Sequence, residues 1–186
     1  GGMPATSQWF ENEVDGADDA GKLWLDNSSR KLWQLIHASN FDAVSFECLL
    51  DEVASGNFVM FVTEGDAGGF LFEQWDFADC VFFSSKGGGP VDIIYREFTL
   101  TADQAVNEFG EGRVSQKIRE SRTTNPDQPF VFLYCIHPRE GQYGRFALNM
   151  PFAELVVERD QMHTVREGGF NEFPCIIPRW MTLAGT

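Results

Sequence analysis

Residues Phe98–Gly110 read FTLTADQAVNEFG, and inside this stretch a strand gives way to a helix. Phe98-Thr99-Leu100 closes a β-rich run that starts at Val91. Thr101-x-x-Gln104 then forms a capping box: the hydroxyl accepts from a free backbone N–H, and Gln104 reaches back to the cap. Ala105, Val106 and Phe109 supply one apolar side, and Gly110 stops the helix. Downstream, Val114 to Thr123 is predicted as a second helix of the pair, closed by Asn125-Pro126-Asp127. Strands follow at Phe130–His137, Phe152–Arg159, Met162–Arg166 and Cys175–Pro178, with a polar loop over 138–144.

Upstream the pattern runs the other way, helices before strands. Residues 16–21 are small and acidic, either loose or a first helical turn. Leu23, Leu25, Leu32, Trp33, Leu35 and Ile36 recur at helical spacing, with Asn27-Ser28-Ser29 as a candidate break. A second helix is expected over Phe41–Ser55, with Phe41, Val44, Cys48, Leu49 and Val53 on one face and Gly56 as its stop. Phe58–Thr63 and Phe70–Trp75 flank a glycine-rich turn and read as a hairpin. Cys80–Ser84 and Val91–Phe98 flank Lys86-Gly87-Gly88-Gly89-Pro90 and read as another. The order is N-terminal helices, an antiparallel strand meander, a central helix pair and C-terminal strands, which is an α+β fold.

A chain of 186 residues sets one compact domain as the expectation: 1–17 as a tag remnant and loose N-terminus, and 18–186 as a single α+β domain. Gly1-Gly2 ahead of Met3 has the look of a tag scar. The four cysteines are far apart in sequence, which fits a reducing compartment with cysteine as a small core residue. No apolar run is long enough to span a membrane as a helix. The formal net charge is −14, against the basic patch that tight nucleic-acid binding needs. The one basic grouping, Arg113, Lys117, Arg119 and Arg122, is interrupted by Glu120 and reads as a solvated helix face.

Reaction chemistry is thinly represented. His37 reads as a satisfied helical histidine. Cys135 and His137 share a strand face, but a metal needs three or four converging ligands. Glu64, Asp66, Glu73, Asp76 and Asp79 cluster around the first hairpin and read as strand-edge charge rather than acid–base or Ca²⁺ chemistry. Gly87-Gly88-Gly89 is a turn, since no helix with a Lys-Ser or Lys-Thr follows. Val81-Phe82-Phe83 has two readings: a strand buried on both sides, which is favoured, or an assembly surface.

Several segments in order carry a resemblance. They are Ser39-Asn40-Phe41, then Ala54-Ser55-Gly56-Asn57, then Gly89-Pro90-Val91-Asp92-Ile93-Ile94-Tyr95-Arg96. Leu100-Thr101-Ala102-Asp103-Gln104 and Phe109-Gly110 come next, followed by Ile136-His137-Pro138-Arg139. Gly168-Gly169-Phe170-Asn171-Glu172-Phe173-Pro174 and Pro178-Arg179-Trp180 complete the series. The series resembles the portal, or head-to-tail connecting, proteins of short-tailed bacteriophages, over roughly Leu32 to Trp180.

The resemblance implies structural motif positions at Asp92, Arg96, Thr101, Gln104, Gly110, His137, Arg139, Gly169, Glu172, Pro174, Arg179 and Trp180. It implies no catalytic residue, cofactor or metal. Portal chains of this kind are several times longer, and their Arg-Trp segment leads into long helices. The expectation is therefore a wing-region fragment, without stem helix. Portals form a dodecameric ring at one capsid vertex and do no covalent chemistry. Identical subunits, terminase, scaffold, capsid and tail adaptors are the implied partners, and DNA is transient cargo of the channel. The implied place is the virion, with host cytoplasm during assembly. Two other classes remain beside it: an acidic adaptor or DNA mimic, and an enzyme of unrecognised type.

Overall fold

The structure, a computed structural model, describes residues 18–178 apart from 66, 67, 142 and 145. The expected tag remnant and loose N-terminus at 1–17 lie outside the described residues, as do Arg179 and Trp180. The chain divides into two compact units, one running to Gln74 and the other from Trp75 to Pro178.

In the first unit, helix α1 spans Asp19–His37 and α2 spans Phe41–Ser55. The Asp18 side chain caps α1 by accepting from the Gly21 N–H at 2.8 Å. Asn27-Ser28-Ser29 does not break α1. The Ser28 hydroxyl donates back to the Trp24 carbonyl at 2.8 Å, so it bonds within the helix and does not cap a new one. Gly56 ends α2 at φ 79°, a left-handed conformation that glycine adopts without a Cβ clash.

Strands β1 (Val59–Glu64) and β2 (Phe70–Trp75) follow as the expected hairpin. The core of this unit joins Val44 and Cys48 of α2 to Met60 and Phe72, with Ile36, Phe41, Phe58 and Phe70 packed around them. Asn40 ties helix to strand: its amide donates to the Phe72 carbonyl at 2.7 Å and its carbonyl accepts the Phe72 N–H at 3.0 Å. Leu49 and Val53, expected on the inner face of α2, are exposed instead. Val44 and Cys48 point inward, and the helical turn carries Leu49 and Val53 away from that side.

In the second unit, five strands form one antiparallel sheet in chain order. They are β3 (Cys80–Phe83), β4 (Ile93–Thr101), β5 (Pro129–Pro138), β6 (Phe152–Glu158) and β7 (His163–Phe170). The second hairpin thus belongs to a different sheet from the first. Helices α3 (Ala102–Phe109) and α4 (Gln116–Thr124) sit between β4 and β5 in sequence. Ala102, Ala105, Val106 and Phe109 of α3 and Ile118 of α4 are buried. Phe109 meets Phe132 with ring centroids 5.3 Å apart, so α3 covers the sheet face that carries Ile94, Phe132 and Ile136.

The opposite face is open at the β3 edge. Val81 and Phe83 are 63% and 44% exposed, against the favoured reading of a strand buried on both sides. A short edge strand has a partner on one side only, and of Val81, Phe82 and Phe83 only Phe82 turns inward, onto Phe77. Strand β7 runs beyond the expected Arg166 end and takes in Gly168 and Gly169. A last short strand, β8, is Cys175–Ile176.

Candidate functional site

The motif positions fall on turns, helix ends and backbone contacts. Asp92 precedes β4 and closes the β3–β4 turn. Its carboxylate accepts from the Ser85 N–H at 2.7 Å and from the Ser85 hydroxyl. Arg96 lies further along β4. Its guanidinium lies over the Trp75 ring, 4.8 Å from the centroid, and 5.6 Å from that of Phe98. Trp75 also meets Tyr134 edge-on at 5.2 Å, so arginine and aromatics form one layer. The buried Arg96 Nε has no hydrogen-bond partner among the described residues.

The capping box forms as its spacing predicts. Thr101 accepts from the Gln104 N–H at 3.2 Å, and Gln104 Oε1 accepts from the Thr101 N–H at 2.9 Å. Gly110 ends α3 at φ 87°, ψ 145°, a region that essentially only glycine occupies.

Arg139 and Gly169, far apart in sequence, make one device. Arg139 Nη1 donates to the Ala147 carbonyl at 2.9 Å and to that of Met150 at 3.1 Å, and Nη2 donates to that of Gly168 at 2.8 Å. A Cβ on Gly169 would collide with the Ala147 carbonyl oxygen and stand 2.7 Å from that of Phe152. Glycine here is what lets the 147–150 turn close onto β7 under the arginine. Nothing in Ala147 or Met150 as residue types signalled this, because both contribute only backbone oxygens.

The remaining motif residues are not gathered into this device. His137, half-buried on β5, donates from Nδ1 to the Pro138 carbonyl at 3.0 Å. Glu172 is exposed, and Pro174 is half-buried just before β8. Asp92, His137 and Arg139 do line one open cleft of about 650 Å³, with Lys86, Tyr95 and Tyr143. In that cleft Asp92 and Arg139 already hold backbone, and the Tyr143 hydroxyl donates to the Arg139 carbonyl at 3.1 Å.

Among the described residues the titratable groups with shifted pKa are tyrosines and buried thiols. Burial pushes the Cys48 and Cys80 thiols up to about 11. Burial also raises Cys135 and Cys175. All four are protonated at neutral pH, which is the inert state of a thiol. Among the described residues no three His, Cys, Asp or Glu side chains converge as metal ligands, Cys135 and His137 included. Among the described residues no helix is long and apolar enough to cross a membrane. One group went unforeseen: Glu158 on β6 is fully buried, and neither carboxylate oxygen has a hydrogen-bond partner among the described residues.

In this α+β scaffold Asp92, Thr101, Gln104, Gly110, Arg139 and Gly169 hold turns, helix ends and backbone carbonyls. The chain belongs to the bacteriophage head to tail connecting protein family, whose model matches residues 1–186. It is similar to the portal protein of Salmonella phage epsilon15, 28% identical over 185 residues, covering 92% of this chain and 32% of the relative. It is also similar to a probable portal protein of Bordetella phage BPP-1, 25% identical over 186 residues, covering 95% of this chain and 33% of the relative. The chain spans about a third of the length of these curated relatives.

Proposed function

We propose that this chain serves as a structural part of a phage portal, the ring at one capsid vertex through which DNA is packaged and later ejected. The observation that carries the reading is a family match along the whole chain, to relatives that include two portal proteins. Identical subunits are its first partner. Terminase, scaffold, capsid and tail adaptor proteins dock on the assembled ring, and DNA is cargo rather than ligand. The work is done in the virion and, during assembly, in the host cytoplasm.

The physical character of the chain supports this. A net charge of −14 repels phosphate, and a duplex slides past a surface that does not hold it. The module does no covalent chemistry in this reading, and its function lies in surfaces and rigidity.

An amber codon placed in this stretch of the phage genome tests the proposal. Non-permissive infection should yield capsid shells without packaged DNA, and supplying the protein in trans should restore full heads. DNA-filled heads in the absence of the protein would overturn it.

A further inference from the structure

The first unit carries more apolar surface than its core uses. Helix α2 is apolar on two opposite sides. Val44 and Cys48 face the core, while Phe46, Leu49, Leu50 and Val53 are 63%, 55%, 56% and 79% exposed. The i, i+3, i+4, i+7 spacing makes these four one continuous stripe. Apolar area gathered in this way, rather than scattered singly, marks an interaction surface. Carboxylates flank it: α2 contains Asp42, Glu47, Asp51 and Glu52, and no lysine or arginine. Asp42 meets His37 and Asp51 accepts from Gln74. Glu47 and Glu52 have no ion pair among the described residues.

Helix α1 carries a stripe of the complementary kind. Trp24 and Leu35 are 67% and 50% exposed. Three helical turns separate them, which puts both on one side, with Lys31 between them. Arg30 is paired with Asp26, whereas Lys31 has no ion pair among the described residues. The α1 stripe is about 16 Å long and the α2 stripe about 10 Å, at 1.5 Å per residue.

We propose that the α2 stripe of one copy receives the α1 stripe of a second copy. Trp24 and Leu35 then pack among Phe46, Leu49, Leu50 and Val53, and Lys31 settles against Glu47 or Glu52. The inference rests on the portal reading above and names a contact that ring assembly uses. Charge decides the pairing. An α2 stripe laid against another α2 stripe sets carboxylates against carboxylates, whereas α1 brings a lysine to them. Two different surfaces meet, so the contact is heterologous and adds copies in succession, closing into a ring where the rotation permits.

Sedimentation velocity on the chain and two variants tests this. One variant is Trp24→Glu with Leu35→Glu, and the other is Leu49→Glu with Val53→Glu. All four side chains are exposed, so both variants should stay folded, which circular dichroism checks. The wild type should associate as concentration rises, with Lys31→Glu weakening association by about tenfold. Each double variant should be monomeric alone. Their equimolar mixture should form a dimer and go no further, because each keeps one intact stripe.

A wild type that stays monomeric overturns the assignment, whatever else then covers the stripe. Association unchanged in the variants overturns it as well, and so does a mixture that stays monomeric. In the product of the complete reading frame, rings that persist in both variants reject this contact and leave the portal reading standing. A product without rings rejects the portal reading itself.

Discussion

Gly168 and Gly169 are neighbours on one strand, yet substitution should separate them sharply. A Cβ at Gly168 meets the carboxylate end of Glu154, which accepts from the Tyr134 hydroxyl at 2.6 Å, so Gly168→Ala disturbs one side-chain hydrogen bond and should cost about 1 kcal/mol. A Cβ at Gly169 meets the backbone carbonyls of Ala147 and Phe152, the first of them held by Arg139, so Gly169→Ala should cost about 2–4 kcal/mol. Urea unfolding of the two variants checks this, and equal effects would contradict the clamp. Glu158 makes the reverse prediction. Its buried carboxylate lacks a partner among the described residues, so Glu158→Met should raise stability by about 1–3 kcal/mol; a lower urea midpoint would mean that the carboxylate is held by something else. Sequence showed Arg139 and Gly169 as separate motif letters. Their contact was not legible because its other partners are backbone oxygens. Glu158 drew no notice in sequence because it is charged, yet alternation with Val156 places it on the buried face, opposite Phe132.

At the scale of the element, the capping box was legible in full because its signal is local: two side chains at fixed spacing and the N–H groups between them. Thr101→Ala should cost about 1 kcal/mol, read as a shift in urea midpoint, and no loss would contradict the cap's role. The extent of α2 was legible for the same reason, whereas its inner face was not. Val44 and Cys48 lie on one side and Leu49 and Val53 on the other, and a helix apolar on two opposite sides does not say which of them the core takes. Cys48 on α2 and Cys80 on β3 give a prediction in pH. Burial raises both from 9.0 to about 11; Asp51 and Glu47 add to it at Cys48, while at Cys80 Arg96 opposes it and Asp79 and Asp76 add to it. Above pH 9 the unfolded chain releases thiol protons that the folded chain keeps, so stability falls as pH rises. The urea midpoint should therefore hold below about pH 9 and decline toward pH 11; a midpoint that climbs across that window would contradict the buried, neutral thiols.

At the scale of the whole molecule, the order of helices and strands was readable from punctuation: glycine turns, caps and runs of β-formers. The assignment of the two hairpins to different sheets was not, because sheet membership depends on long-range pairing that local pattern does not carry. In the proposed reading the chain acts by assembling, and the family match is what supports that reading. Native mass measurement with negative-stain imaging, on the product of the complete reading frame over a range of salt, tests that most directly. The account predicts closed rings of identical subunits with a central hole. Monomers or dimers under every condition would contradict it.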